Sequence, residues 1–244
     1  MRLLVVLLGS FACITCPGVQ PRPVDGDSHG KHLFILSGQS NMAGLNPDLS
    51  FTPGVAEAFG QDNVMVVKDA HGGQSIRSWA KTNHEFPPPT QGRVPQVRGN
   101  LYPLLINKVR AAIEGKKIQT VTFVWMQGES DLNNTAYGAY LDELYSQLQA
   151  DLRFKDINFV IGRISDAGLD VSKRLEGRRS IRQTQVDYAE DHPNGAWVNT
   201  DDLNDRVQDG TTVYDLHYAP EGYKTLGQRF AKAAIELIKR QDRQ

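Results

Sequence analysis

The sequence predicts a three-layer α/β domain built around a mainly parallel sheet, and three observations lead to this prediction. Short apolar runs alternate along the chain with longer segments of helical periodicity. The apolar runs are nearly continuous, which is typical of strands that helices cover on both faces. The 244 residues are also enough to form one domain with a substantial core.

Five of the apolar runs are predicted to be strands, because each is short and bounded by polar or turn-forming residues. The sequence contains no internal repeat, so the runs are expected to belong to one domain. In chain order they are His32 to Leu36, Val64 to Val67, Val121 to Met126, Ile157 to Ile161 and Ala196 to Asn199.

Helices are predicted between these strands and near the end of the chain. The last helix is the clearest, because apolar residues at spacings of three and four form one stripe along it. These residues are Tyr223, Leu226, Phe230, Ala234 and Leu237. The other predicted helices cover Leu101 to Glu114, Ala136 to Arg153 and Arg174 to Glu190.

Residues 1–30 are expected to lie outside the folded domain. Residues 1–16 have the charged start, apolar run and small residues of a signal peptide, and the run is too short to span a bilayer. Residues 17–30 are rich in Pro, Gly, Asp and Ser and are predicted to be a linker, which leaves residues 31–244 as the domain. We therefore expect a secreted or periplasmic protein. Lipoprotein anchoring at Cys13 is disfavoured because Phe11 fits that signal poorly.

Composition and motif spacing exclude several classes of function. The 27 basic and 28 acidic residues nearly cancel, so there is no electrostatic reason to expect nucleic acid or an anionic membrane as partner. The sequence lacks the phosphate-binding and dinucleotide-binding glycine motifs and the His or Cys spacing of zinc sites. The acidic stretch Asp201 to Asp205 lacks calcium-loop spacing and is predicted to be a solvated loop or a network that orders one. We expect no cofactor and no metal, and nothing indicates an oligomeric state.

Ser40 follows the first predicted strand directly, inside the sequence Ser37-Gly38-Gln39-Ser40-Asn41-Met42-Ala43-Gly44. A hydroxyl there would stand at the carboxyl end of a parallel strand, where open α/β sheets bind ligands. Backbone N–H groups at the start of the following helix would face any negative charge that forms beside it. The alternative is that Ser40 only caps this helix.

A serine nucleophile needs a base, and His217 is the best candidate among the six histidines. It precedes the C-terminal helix and has an acid, Asp215, two residues before it. A purely structural histidine is the alternative.

Two further segments follow predicted strands and add groups that suit an oxyanion. Gly72-Gly73 would let the backbone approach a ligand, although a plain turn is the alternative. In Gln127-Gly128-Glu129 the glutamine amide could donate a hydrogen bond, while Glu129 could orient a histidine or fix its own loop. These two segments, Ser40 and His217 are all expected at one edge of the sheet. Such a convergence is hard to explain if each of the four is only a helix cap or a turn.

The segment from Gly72 to Gly99 is long for a connection inside a compact domain. It follows the second predicted strand and therefore starts at the edge where Ser40 is expected. We expect it to shape a binding site, with a surface insertion of no function as the alternative.

Taken together, these motifs resemble those of the SGNH hydrolases, and in particular the carbohydrate esterases of the sialate O-acetylesterase and acetylxylan esterase group. The resemblance extends from His32 to the C-terminus, whereas the missing second glycine after Ser40 argues against the α/β-hydrolase fold. The matching segments are Ser37 to Gly44, Gly72-Gly73, Trp125 to Asp131, Arg182 to Gln185 and Asp215 to His217.

The resemblance implies a flavodoxin-like sandwich with a five-stranded parallel sheet. It also implies a serine esterase that hydrolyses O-acetyl esters on carbohydrates through an acetyl-enzyme, without a cofactor. Ser40 would be the nucleophile and His217 the general base. The oxyanion donors would be the backbone N–H groups of Ser40 and Gly73 and the side chain of Gln127.

The chain departs from this family at the orienting acid, which often lies three residues before the histidine. That position holds Tyr214 here. We favour Asp215, because residues two apart in an extended segment share a face. Glu129, which follows another strand, is the alternative acid, and the choice between the two is left open.

Substrate contacts are expected from Gln39, Asn41, His71 and Arg77, and Trp79 could offer a stacking surface for a sugar. Packing or salt bridging would explain the same residues equally well. A non-catalytic carbohydrate-binding domain is the alternative function, and the Ser40 and His217 pair argues against it. A lipase or thioesterase on longer acyl chains is a third interpretation, but the sequence offers no apolar tunnel for such a chain.

Overall fold

A five-stranded parallel sheet forms the centre of the molecule, and from one edge to the other it contains the second, first, third, fourth and fifth strands of the chain. The structure is a computed structural model that describes residues 30–80, 101–169, 172–209 and 211–243. All four pairs of neighbouring strands are parallel, so the predicted α/β class is confirmed. The strands are β1 (Lys31–Gly38), β2 (Val64–Ala70), β3 (Ile118–Met126), β4 (Ile157–Gly162) and β5 (Gly195–Val198).

Helices pack on both faces of this sheet and complete a three-layer sandwich. One core cluster joins one face of the sheet to three helices, and a second cluster joins the other face to the other three: the first contacts Leu101–Ile113, Tyr137–Leu152 and Ser172–Asp191. The helices are α1 (Ser40–Gly44), α2 (Phe51–Phe59), α3 (Leu101–Ile113), α4 (Tyr137–Leu152), α5 (Ser172–Asp191) and α6 (Pro220–Gln241).

Strand β1 shows why the apolar runs are continuous. Leu33 and Ile35 belong to one core cluster, whereas Phe34 and Leu36 belong to the other. Successive side chains of a strand point to opposite faces, so a strand covered on both sides must be apolar at every position. Burial of each such side chain stabilises the fold by about 1.5–3 kcal/mol.

Every predicted strand and helix is present, with ends shifted by a few residues, but one helix and one two-stranded hairpin were not predicted. Helix α2 contains Pro53 and Gly54, which weaken a helical pattern, although proline is tolerated in the first turn. An antiparallel hairpin of β6 (Asp205–Gln208) and β7 (Thr211–Tyr214) follows β5. Its signal was the Asp-Gly pair after Gln208, and Asp209 has the positive φ of 50° that such turns require.

The predicted leader, the site of Cys13, nearly all of the linker and residues 81–100 lie outside the described residues. At the start of the long segment after β2, Ile76–Trp79 forms a 3-10 helix. Among the residues that the structure describes, no helix has both the length and the apolar character needed to cross a membrane.

Candidate active site

A tight turn between β1 and α1 places Ser40 at the carboxyl edge of the sheet. Gly38 has φ +143°, and a Cβ built there would lie 2.0 Å from the Met126 carbonyl oxygen. Only glycine therefore allows the end of β1 to approach the end of β3 this closely. The Gln39 N–H donates to the same Met126 carbonyl oxygen at 2.9 Å and fixes the turn.

Ser40 does not cap the helix that it begins. The cap position belongs to Gln39, whose side chain makes no capping hydrogen bond, and Ser40 is the first residue of α1. Ser40 is partly exposed, and its hydroxyl makes no hydrogen bond within the described ranges. The capping interpretation is therefore wrong, and the hydroxyl is left for another role.

The loop after β2 lies beside Ser40. A Cβ built at Gly72 would lie 3.8 Å from the Ser40 Cβ, which is ordinary van der Waals contact. Gly73 has φ +68° with open space around its Cβ position, so its backbone conformation, rather than crowding, favours glycine. The His71 N–H donates to the Gly38 carbonyl at 2.9 Å and holds this loop against the Ser40 turn.

Gln127 is buried, and its amide nitrogen already has three acceptors. Nε2 donates to Gln39 Oε1 at 3.1 Å, to the Gln74 carbonyl at 3.0 Å and to Asp131 Oδ2 at 2.5 Å. An amide nitrogen has two hydrogens, so these contacts use both of them. In this arrangement Gln127 joins the loops after β1, β2 and β3 and has no hydrogen left for an oxyanion.

Asp131 forms the other half of this connection, and sequence reasoning noted it only as the last residue of the Trp125 to Asp131 motif. Its buried carboxylate accepts from Ser75 Oγ at 2.6 Å, the Ile76 N–H at 2.8 Å and Asn134 Nδ2 at 2.9 Å. These bonds hold the loop after β2 to the loop after β3. They also compensate the burial of the charge, which is costly without partners.

His217 lies on the loop between β7 and α6, and its side chain is exposed. The carbonyl of the preceding residue, Leu216, accepts from Asn41 Nδ2 at 3.1 Å. Since Asn41 follows Ser40 and Leu216 precedes His217, this side-chain-to-backbone hydrogen bond joins the two segments that carry the predicted partners. The described structure shows no hydrogen bond between Ser40 and His217, and such bonds are often formed only when substrate is bound.

Glu129 lies in the same cluster. Its Oε1 accepts from Asn41 Nδ2 at 2.9 Å, and its Oε2 is buried without a hydrogen-bond partner in the described part of the chain. Burial raises the pKa of Glu129, while the Asn41 hydrogen bond and the charges of Arg178 and His217 act in the opposite direction. Glu129 and His217 are therefore within electrostatic range of each other.

Asp215 contacts its neighbour in the chain, Leu216, and also Asn204 before β6. Its Oδ1 accepts from the N–H of Leu216 at 2.8 Å. Its backbone pairs with Asn204, whose carbonyl accepts from the Asp215 N–H at 3.1 Å and whose side chain donates to the Asp215 carbonyl at 2.9 Å. These contacts order the loop that carries His217.

Two of the four residues that were predicted to contact substrate instead make hydrogen bonds within the protein. Gln39 Oε1 accepts from Gln127 and from the N–H groups of Gly128 and Ser130, both at 3.3 Å. Asn41 is 0% exposed, and its amide is bonded to Glu129, Leu216 and Tyr223. These contacts favour a positioning role over contact with substrate.

The other two expected contacts lie nearer the surface. His71 is partly exposed, and its Nε2 lies 3.1 Å from Asp69 Oδ2. Arg77 is partly exposed on the 3-10 helix that follows Gly73. Trp79 is fully buried with its ring edge against Trp125, at a centroid distance of 5.0 Å, so the predicted stacking on a sugar is wrong.

The acidic stretch after β5 orders its surroundings, as one of the two interpretations expected. Asp201 pairs with Arg163 and Arg182, each at 2.7 Å. Asp202 pairs with Arg229 at 2.6 Å. The loops after β4 and β5 are thereby joined to α5 and α6.

The sequence matches the family described as "Carbohydrate esterase, sialic acid-specific acetylesterase" over residues 43–236. It is also 24% identical to a probable carbohydrate esterase of Arabidopsis thaliana, over 64% of this chain and 55% of that protein. The chain thus spans little more than half the length of this curated relative.

Solved structures share the fold. A protein from Arabidopsis thaliana gives a TM-score of 0.63 at 20% identity, over 85% of this chain and 99% of that one. A carbohydrate acetylesterase from Xanthomonas citri gives a TM-score of 0.56 at 15% identity, over 84% of this chain and 56% of that one. NanS gives a TM-score of 0.57 at 13% identity, over 86% of this chain and 99% of that one. At these identities the likeness shows the fold alone.

The family match covers most of the described domain, including Gln127 and His217 but beginning after Ser40, and it agrees with the family that the motifs resemble. The chain belongs to the sialic acid-specific acetylesterase family of carbohydrate esterases.

Proposed function

We propose that this chain is a serine esterase that removes O-acetyl groups from carbohydrates through an acetyl-enzyme. The observation that carries the proposal is the hydrogen bond from Asn41 to the Leu216 carbonyl, which brings the neighbours of Ser40 and His217 together. Membership of a carbohydrate esterase family supports the same chemistry.

The reaction is an acyl transfer in two halves. His217 accepts the Ser40 proton while the Ser40 oxygen attacks the acetyl carbonyl carbon, and the carbonyl oxygen becomes an oxyanion. The intermediate expels the sugar oxygen, which takes the proton from His217. Water then attacks the acetyl-enzyme with His217 again as base, and acetate leaves with Ser40 restored.

The backbone N–H groups of Ser40 and Gly73 are the proposed oxyanion donors. The position of Gly72 against Ser40 supports them, since it places the two loops side by side. Gln127, which the sequence placed in the same role, is proposed to act through the loops that it connects, because its amide hydrogens are used there.

Glu129 is the proposed orienting acid, in preference to Asp215. Its carboxylate is buried, lies within electrostatic range of His217 and has one oxygen without a hydrogen-bond partner in the described ranges. Asp215 bonds its own loop at Leu216, which supports a role in shaping that loop.

The substrate is proposed to be an acetylated glycan, with O-acetylated sialic acid and acetylated xylan as the first compounds to test. The family description supports sialic acid. The leader predicted at residues 1–16 would bring the protein to the secreted or periplasmic compartment, and this localisation stays a prediction.

The test compares wild-type protein with Ser40→Ala on p-nitrophenyl acetate and on a panel of acetylated glycans. Ser180→Ala, which changes an exposed serine on α5, is the matched control. We expect acetate release from wild type and the control, and a loss of at least about 10³-fold in Ser40→Ala. Glycan binding without acetate release by wild type would instead favour the non-catalytic carbohydrate-binding domain.

A further inference from the structure

A single buried side chain, Asn41, connects four separate parts of the site. Its Nδ2 donates to Glu129 Oε1 at 2.9 Å and to the Leu216 carbonyl at 3.1 Å, and its Oδ1 accepts from the Tyr223 hydroxyl at 3.2 Å. We call Asn41, Glu129, Leu216 and Tyr223 the Asn41 cluster. It joins α1, the loop after β3, the His217 loop and α6.

The chemistry of the cluster requires an amide. Two hydrogens are donated to acceptors and one oxygen accepts a hydroxyl, which is a combination that a short amide provides and a carboxylate does not. An aspartate at position 41 would lose both donated bonds and place a second carboxylate against Glu129. Asn41 is 0% exposed, so water cannot replace these partners at low cost.

The contact with α6 is close. Tyr223 packs against the end of α1, where a Cβ added at Gly44 would lie 2.6 Å from its ring and from its hydroxyl oxygen. Tyr218 lies next to it, with ring centroids 5.4 Å apart. The hydroxyl that holds the Asn41 oxygen is therefore fixed by packing on both sides.

We propose that Asn41 is a positioning residue that holds the Glu129 carboxylate and the backbone beside His217 in one arrangement, so that the imidazole stays within reach of both the carboxylate and Ser40. The inference rests on the proposed function for the roles of Ser40 and His217. It replaces the contact with substrate that the sequence suggested for Asn41.

His217 interacts electrostatically with Glu129, which itself faces charged and titratable groups from other elements, and the test takes these groups into account. Glu129 carries the carboxylate of the loop after β3, and Arg178 on α5 acts on that carboxylate in the same direction as His217. Tyr218, on the same loop as His217, and Tyr223 on α6 both interact electrostatically with Glu129, and Tyr223 also interacts with Asp215.

Asn41→Asp tests the proposal with almost no change in volume. We expect kcat/KM for p-nitrophenyl acetate to fall about 100-fold, because a small displacement of a reacting group has an effect of this size. The loss should lie in kcat rather than KM. The added negative charge favours the imidazolium form, so the acid limb of the pH profile should move to higher pH.

The second readout does not depend on turnover. NMR titration of the His217 imidazole, assigned by comparison with His217→Gln, should show a higher pKa in Asn41→Asp than in wild type. Asn158→Asp is the matched control, because Asn158 is also 0% exposed but bonds Gln241 at 3.0 Å, outside the Asn41 cluster. We expect it to lower the thermal midpoint and to leave both the acid limb and the His217 titration in place.

Tyr223→Phe keeps the ring and removes only the hydroxyl, so it tests the cluster if Asn41→Asp does not fold. We expect a loss of about three- to tenfold in kcat, since one neutral hydrogen bond is removed. Wild-type kcat, acid limb and His217 titration in both variants, or in Tyr223→Phe alone if Asn41→Asp does not fold, would overturn the proposal. A wild-type protein without Ser40-dependent hydrolysis would refute the proposed function, whereas the His217 titration would still decide the role of Asn41.

Discussion

Glu129 combines a cost to stability with a position that suits the proposed chemistry. Its carboxylate is buried, and burial raises its pKa. A carboxyl group whose pKa is raised in the folded state binds its proton more tightly there than in the unfolded chain. Folding is therefore less favourable when the group is ionised, and stability falls as the pH rises above the ordinary pKa of a glutamate.

Glu129→Gln should remove this penalty while keeping an oxygen for Asn41. We expect a higher thermal midpoint than wild type at pH 7, with a difference that shrinks as the pH falls below the ordinary pKa of a glutamate and Glu129 becomes protonated in both states. We also expect kcat to fall by about 10²–10⁴-fold if Glu129 orients His217. Thermal unfolding across pH, together with initial rates, measures both effects.

Asp215→Asn is the comparison for this experiment, since it changes the other candidate acid. A smaller loss of kcat in Asp215→Asn than in Glu129→Gln is expected. The reverse order would make Asp215 the orienting acid, as the sequence favoured.

Gln127 was expected to donate directly to the oxyanion, but its contacts predict a different phenotype. Gln127→Ala removes bonds to Gln39, Gln74 and Asp131, and we expect the unfolding free energy to fall by about 1–3 kcal/mol. Turnover should fall together with stability, and Asp131→Asn should behave in the same way. An unchanged thermal midpoint with a loss of turnover of about 10²-fold or more would show that the amide is a direct donor after all.

At the scale of elements, the turn from β1 into α1 depends on one close backbone approach. A Cβ at Gly38 would lie 2.0 Å from the Met126 carbonyl oxygen, which is backbone and cannot move aside as a side chain can. The ends of β1 and β3 must therefore separate if any other residue stands there. This would displace Ser40 relative to the loop that carries Gln127.

Gly38→Ala should for this reason destabilise the protein by about 3 kcal/mol or more and abolish hydrolysis. Gly115→Ala is the control, because Gly115 also has a positive φ, of +69°, but has nothing within 4 Å of its Cβ position. It should cost about 1–2 kcal/mol and leave kcat unchanged. Equal effects of the two substitutions on the thermal midpoint would contradict the steric explanation.

Elements with a strong local pattern were predictable from the sequence, and those held by tertiary contacts were not. The central residues of strand β1 are apolar whichever face of the sheet they point to, so the strand is recognisable from its own short stretch of sequence. Helix α2 carries Pro53 and Gly54 and is stabilised by packing against α6. The hairpin of β6 and β7 had only its Asp-Gly turn as a signal.

At the scale of the whole molecule, the same distinction separates the parts of the site. The positions of Ser40 and Gly73 follow from strand ends and turns, which the sequence shows locally. The contacts of Asn41 join residues 88, 175 and 182 positions apart, and no local pattern reports such pairs. Trp79 was misjudged for a similar reason, since the core that buries it includes Trp125 and comes together only in the folded domain.

The hydrogen bond between Asn41 and the Leu216 carbonyl has a consequence for biosynthesis. A ribosome releases Ser40 early and His217 late, so under the proposed function a growing chain holds an inert serine until α6 has been made and has docked. The proposed hydrolysis would then begin only in the last stage of folding, and shorter fragments of the chain are expected to be inactive.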